Sequence, residues 1–273
     1  MRENTKKFLI IGGDKRQKFL SEALGKKGYC SLLHTEGNLY KEIDNADAII
    51  LPIPLTKDGV NINSTSIPIS TVCNLVTENQ VIFTSMAEKI KSGCKVFDYS
   101  VREDLAIKNA VPTAEGLIKT AIEEMTCTLW GSSALVTGFG KTAKAVAKAL
   151  KNMGASVTVA ARRKSDLAYA ETLMYNTANI NELYKYENNF DLLVNTVPST
   201  VIEEKVLETL NKDCVIIEIA SSPYGIDFEA AGNLGIKVIV AGSLPGKTAP
   251  KTAGYIICDT ICHIIKEEAI WKD

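Results

Sequence analysis

Apolar positions in this chain fall into short runs separated by stretches with helical spacing. Residues Phe8 to Ile11 form one such run, closed by Gly12-Gly13-Asp14, and the segment that follows to Gly25 carries Phe19, Leu20, Ala23 and Leu24. The pattern predicts strand, turn and helix. Further apolar or β-branched runs at 29–33, 46–51, 80–84 and 95–99 predict strands. The segment 52–71, with Pro52, Pro54, Gly59, Pro68 and many Ser, Thr and Asn residues, is the longest expected loop. The pattern begins afresh at 133–138 with strand, Gly138 turn and a helix over 141–152, followed by strands at 156–160, near 191–196, 215–219 and 237–240. Strands alternating with helices imply mostly parallel sheets. In the last segment, 249–271, Pro250 suits a first helical turn, and Ile257, Ile261, Ile264 and Ile265 mark one face of a long helix.

Two strand-turn-glycine starts about 125 residues apart divide the chain. The expectation is an α/β protein of two doubly wound Rossmann-like units with parallel sheets and a cleft between them. Residues 1–125 form the first unit, 126–247 the second, and 248–273 a C-terminal helix packing back on the first. A chain of 273 residues suits two such units.

Composition removes other classes. With 31 basic and 32 acidic side chains, the net charge of −1 gives no global attraction to nucleic acid or membrane. Seven cysteines without a C-x-x-C pair fit reduced thiols, and Cys258 and Cys262, one helical turn apart, are the closest spacing. The polar start at 1–7 runs straight into the first strand, so no signal-peptide core is expected and the location is cytoplasmic. The longest uncharged stretch, 59–77, is full of Ser, Thr and Asn, so no membrane span is expected. Two histidines, His34 and His263, without a cysteine cluster give no metal site; both read as structural or surface residues. Lys141, Lys144, Lys148 and Lys151 read as a solvated helix face rather than a nucleic-acid stripe. G-x-S-x-G is missing, which removes the hydrolase elbow.

Gly138-Phe139-Gly140-Lys141-Thr142-Ala143 carries the strongest chemical signal, a G-x-G-x-x-A between predicted strand and predicted helix. The first glycine permits a tight turn and the second lets backbone approach a pyrophosphate. Ala143 then lets the helix lie close to the strand and present its N-terminus to the anion. An NAD site places an acid about 20 residues further on. Here the next strand ends Ala160-Ala161-Arg162-Arg163-Lys164-Ser165, with no acid before Asp166. Guanidinium groups and a hydroxyl suit a 2′-phosphate, so NADP is expected over NAD. Asn195-Thr196-Val197-Pro198 ends another strand and is expected near the nicotinamide ribose. The turns beginning at Ala220 and at Ala241-Gly242 are expected at the same sheet edge.

With the second glycine turn, the Ala161-Arg162 strand end and Asn195-Thr-Val-Pro198, the blocks Ala220-Ser-Ser-Pro-Tyr-Gly-Ile-Asp227 and Leu244-Pro-Gly-Lys-Thr-Ala-Pro-Lys-Thr-Ala-Gly254 resemble the A-subunit family of dipicolinate synthase. Ile11-Gly-Gly-Asp14 with Arg16-Gln17, and Val111-Pro-Thr-Ala-Glu-Gly116, are similar to that family too. The loop at 52–71 is least alike. The resemblance implies oxidation of dihydrodipicolinate, or its hydrated precursor, to dipicolinate with NADP⁺, in the mother cell during endospore formation. It also implies a partner, a flavoprotein-like B subunit; a homo-oligomer is left open.

The substrate so implied is a small ring dicarboxylate. Arg16 and Gln17 after the first glycine turn, and Lys251 with Thr252 at the start of the C-terminal helix, are then candidate carboxylate clamps. Thr113 and Glu115, beside Pro112 at an expected helix start, are candidates for the same cleft, and Glu115 or Asp14 for the proton acceptor. For each, a cap or a solvated charge is the alternative. Two other functions share the motifs: another two-domain NADP-dependent dehydrogenase, of shikimate or methylenetetrahydrofolate type, and a non-catalytic NADP(H)-binding regulatory protein.

Overall fold

The computed structural model describes residues 5–185 and 189–271, so the polar start at 1–4 and the last two residues of the C-terminal segment lie outside the described residues. The chain divides into two compact units, 1–109 with 245–273, and 110–244.

The first unit holds β1 (Lys7–Ile10), α1 (Lys15–Lys26), β2 (Cys30–Leu33), α2 (Leu39–Asp44), β3 (Ala48–Ile50), α3 (Ile69–Leu75), β4 (Val81–Thr84) and β5 (Lys95–Asp98). All five strands are parallel, in the order β2-β1-β3-β4-β5. Apart from exposed Lys7 at the start of β1, the central strands β1, β3 and β4 are buried, while β2 alternates exposed and half-buried positions, as expected of an edge. Alternate side chains serve the two faces. Phe8, Ile10, Ile50 and Phe83 pack with Leu20 and Leu24 of α1, whereas Leu9, Ile49 and Ile82 pack with Ile43 and Val72. The final helix belongs to this unit. Its isoleucines Ile257, Ile261, Ile264 and Ile265 join the Phe8 cluster, each contributing about 2 kcal/mol by burial.

The second unit contains most of α4 (Glu103–Glu124), then β6 (Ser133–Thr137), α5 (Lys141–Asn152), β7 (Ser156–Ala161), α6 (Lys164–Thr172), β8 (Asn176–Asn179), β9 (Leu192–Asn195), α7 (Glu204–Leu207), β10 (Val215–Glu218), α8 (Phe228–Asn233) and β11 (Val238–Val240). A short α9 (Leu244–Thr248) precedes the final helix, α10 (Pro250–Glu267). The six-stranded parallel sheet runs β11-β10-β9-β6-β7-β8, the order of doubly wound dinucleotide-binding sheets. Ala143, Val146, Ala147 and Leu150 of α5 pack on Ala134 and Val136 of β6. Alanines at two of these positions let the helix approach the sheet, which brings its N-terminus beside the strand's carboxyl end.

Four expectations change. The helix start at Pro112 is not there: α4 is a single helix with Pro112 in its interior. Ala110, Ala114, Leu117 and Ala121 form a buried stripe at helical spacing, and that burial outweighs the roughly 3 kcal/mol cost of an interior proline. The same helix moves the unit division to 109/110, because Ala114, Leu117 and Ala121 pack in the second core. The polar strand β8, Asn176–Asn179, has no apolar run to announce it, being an edge strand paired only with β7. The expected loop at 52–71 ends earlier, since α3 starts at Ile69. No helix among the described residues is long and apolar enough to cross a membrane.

Candidate functional site

In the second unit a crevice of about 290 Å³ opens at the carboxyl ends of β6 and β7. Gly138, Phe139 and Gly140 form one wall, and Ala161, Arg162, Arg163 and Asp166 another. Ile180, Asn181, Val197, Ser199 and Val201 complete it. Gly138 has φ +84, and a Cβ there would lie 2.8 Å from Thr196 Oγ1, so the turn requires glycine. Gly140 is the N-cap of α5, and among the described residues no side chain caps that end. An anion can therefore take the place of the cap, against backbone dipoles that favour negative charge. Lys141 and Thr142 form the first helical turn.

The two arginines at the end of β7 differ. Arg163 is held by Asp166 through Nε at 2.7 Å and Nη2 at 3.0 Å, a bidentate pair that occupies its fork. Arg162 is exposed and has no such partner among the described residues. It is the guanidinium that remains available for a phosphate in the crevice.

Beneath the turns lies a buried polar network. Glu218, with no exposure, accepts from Asn195 Nδ2 at 2.9 and 2.8 Å and from the backbone N–H groups of Ala220 and Gly225 at 2.8 and 2.9 Å. Asn195 Nδ2 also reaches Val197 O at 2.9 Å, and Asn195 Oδ1 accepts from Thr137 Oγ1 at 2.5 Å. Thr196 Oγ1 donates to Thr137 O at 2.7 Å. Asn195, Thr196 and Ala220 thus fix the turns at the sheet edge through this network rather than lining the crevice; exposed Pro198 and Gly242 are not among its lining residues either. Glu218 escaped sequence reasoning. Its signal was an acid inside the apolar strand Val215–Glu218, where charge survives only when satisfied.

The first unit treats its glycine turn differently. Asp14 caps α1, accepting from Arg16 N at 3.0 Å, while Gln17 Oε1 accepts from Asp14 N at 2.7 Å. This reciprocal box satisfies the helix end. Arg16 Nε lies 2.9 Å from Asp14 Oδ1 and Nη2 2.9 Å from Oδ2, and Nη2 also donates to Ile53 O at 2.7 Å. Burial would raise the Asp14 carboxyl, but the hydrogen bonds and charge of Arg16, with Lys57, hold it below its usual value. The Asp14 carboxylate is thereby a weaker base than a free one, and Arg16 is largely consumed inside the protein. Gly13 N donates to Asn63 O at 2.8 Å, and that same carbonyl lies 2.7 Å from where a Cβ on Gly12 (φ +71) would stand. The loop after β3 therefore sits where a phosphate would approach.

Lys251 is exposed on the first turn of α10, with Nζ 6.0 Å from the Tyr255 ring centroid. No hydrogen bond or ion pair among the described residues joins it to Arg16 or Gln17. Glu115 is exposed in the interior of α4, not at a helix start, and lines neither the crevice nor the first-unit pocket. Among the described residues, no three His, Cys, Asp or Glu side chains are grouped as metal ligands. Lys144 lies 5.1 Å from both the Phe139 and Tyr169 rings, and Lys151 donates to Leu173 O and Met174 O at 2.7 and 2.9 Å.

Residues 7–98 match the family described as the N-terminal domain of the dipicolinate synthase A subunit. Residues 106–224 match the NAD binding domain of D-isomer specific 2-hydroxyacid dehydrogenases. The chain is 31% identical to the dipicolinate synthase A subunit of Bacillus subtilis (strain 168), over 96% of each protein. It is also similar to two crystal structures of such proteins. The one from Bacillus halodurans has a TM-score of 0.86 at 28% identity, covering 95% of this chain and 97% of that one. The one from Bacillus subtilis has a TM-score of 0.83 at 30% identity, covering 97% of both. At 12% identity and a TM-score of 0.70, a transhydrogenase from Sinorhizobium meliloti, covering 96% of this chain and 93% of its own, shares the fold.

Proposed function

The chain belongs to the family of dipicolinate synthase A subunits, and from that premise we propose that it oxidises dihydrodipicolinate, or its hydrated precursor, to dipicolinate with NADP⁺. Its coarser character follows from the family and the second unit: a dehydrogenase-type oxidoreductase subunit with a nicotinamide-binding domain. The uncapped turn at Gly138 and Gly140, with Arg162 unpaired at the end of β7, is the observation that carries the cofactor assignment.

In this reading the N-terminus of α5 holds the pyrophosphate and Arg162 the 2′-phosphate, with Arg163 kept close by Asp166. Bound NADP⁺ supplies the hydride acceptor. Glu218 and Asn195 hold the turns of the binding edge in place, so that the crevice is formed before the cofactor arrives. Loss of hydride from the ring dicarboxylate yields an aromatic pyridine, so the protein's work is mainly positioning. The family name implies a second subunit. We assign that role to the flavoprotein-like B subunit, in the mother cell of a sporulating bacterium.

The test is absorbance at the reduced-nicotinamide band, using the full chain, NADP⁺ and freshly generated dihydrodipicolinate, with and without the B subunit. Growth of the band together with a pyridine dicarboxylate product is expected. Silence with the partner present, despite measurable NADPH binding, would refute the reaction.

A further inference from the structure

We infer that the first unit carries a carboxylate pocket for the substrate, built from Gln17, His34, Thr35 and Ser66 at the carboxyl ends of β1 and β2. The inference rests on the dicarboxylate reading above and names the residues that would recognise the acid. The pocket measures about 410 Å³ and lies wholly within the first unit, within the size range of small-molecule sites.

Two deeply placed side chains each turn one nitrogen into it. Gln17 is only 2% exposed, and its Oε1 is used in the helix cap. Its Nε2 has no hydrogen-bond partner among the described residues, whereas every fully enclosed side-chain polar atom among them has one. This amide nitrogen therefore opens onto the pocket it lines. The His34 side chain is 9% exposed and its Nδ1 lies 2.6 Å from Glu42 Oε2. By the same reasoning its Nε2 faces the pocket, with ring orientation fixed by Glu42. With Glu42 on Nδ1, Nε2 is the ring atom left for a ligand.

Thr35 and Ser66 add exposed hydroxyls at the rim with no partner among the described residues. The two acids beside the pocket are already matched, Asp14 by Arg16 and Glu42 by His34. What remains unmatched is the Gln17 amide N–H group, one imidazole nitrogen and two hydroxyls, of which the amide and the hydroxyls can donate to a carboxylate. The helix end of α1 contributes nothing, being capped by Asp14. Arg16 acts as scaffold for that cap instead of as the clamp.

The test is calorimetric titration of the full chain with dipicolinate, with its dimethanol analogue as a probe of the same shape lacking carboxylates. Gln17→Glu keeps a cap acceptor but removes the amide donor; Ser66→Asp places a negative charge on an exposed rim position. Both are expected to weaken dipicolinate binding at least tenfold while NADPH affinity is unchanged, and the dimethanol analogue is expected to bind at least tenfold more weakly than dipicolinate to the unaltered chain. Should Gln17→Glu fail to fold, Ser66→Asp decides. Undiminished dipicolinate binding in a folded variant overturns the pocket and leaves the dehydrogenase reading standing. If the unaltered chain binds NADPH but not dipicolinate, the dicarboxylate reading fails and the pocket with it.

Discussion

Both units carry a parallel strand, a glycine turn and a helix in succession, yet they treat the helix N-terminus in opposite ways. In the second unit Gly140 stands at the cap position and no side chain closes the end of α5. In the first, Asp14 and Gln17 close the end of α1, and the carbonyl of Asn63 lies against Gly12 and Gly13. A glycine turn after a strand supplies room for a phosphate. The residue at the N-cap and the loop above it decide whether a phosphate can use that room.

The most severe challenge to this contrast is to give the second unit the cap of the first. Gly140 has φ −75, which any residue adopts, and a Cβ there meets nothing within 4 Å. Gly140→Asp is therefore expected to fold with an unchanged or raised melting temperature. It should weaken NADPH and NADH alike about a hundredfold, close to 2.7 kcal/mol, in a fluorescence titration. A folded variant that still binds either cofactor normally would sink the phosphate assignment.

The converse change, Asp14→Ala, removes a cap and strands a buried guanidinium that among the described residues keeps only the Ile53 carbonyl. Its expected cost is about 2 kcal/mol in denaturant unfolding, without creating nucleotide binding in the first unit. The pH dependence has a definite sign. Asp14 is held below 3.8 in the folded chain, so its contribution is present above that value and is lost as pH falls through the lower, folded value. The stability difference between the unaltered chain and Asp14→Ala should shrink at acid pH; a gap that stays constant would contradict the ion pair.

Smaller effects refine the second unit. Arg162→Ala is expected to weaken NADPH by about tenfold with little change for NADH, the loss of one charge-assisted contact, and adding Arg163→Ala should widen the gap. Equal losses for both cofactors would remove the 2′-phosphate assignment. Lys251→Ala should change substrate KM or kcat by only about threefold, as for an exposed charge, and leave NADPH affinity intact. Unaltered steady-state kinetics would exclude Lys251 from substrate binding.

Much of this contrast could be read in the sequence because it rests on local patterns. The buried central strands stand out as apolar runs, the two glycine turns punctuate them, and Arg162-Arg163 occupies the place of a ribose-binding acid. What stayed hidden depends on tertiary partners. Pro112 suggested a helix start, but the alanine stripe of α4 overrides it once packed. β8 is polar because it lies at the sheet edge. Arg16 looked like a free clamp until the fold set Asp14 and Ile53 around its guanidinium, and the His34–Glu42 pair joins the end of a strand to a different helix. Glu218 was legible only as an oddity, an acid in an apolar strand, whose hydrogen bonds come from the turn after its own strand and from Asn195 at the end of β9.

Calorimetric titration of NADPH into the full chain and into Gly140→Asp asks whether the uncapped end of α5 is where the cofactor's phosphates sit. One equivalent is expected to bind the unaltered chain, and none the variant at the same concentrations. Two equivalents in the unaltered chain, or one retained in folded Gly140→Asp, would overturn the distinction between the two glycine turns.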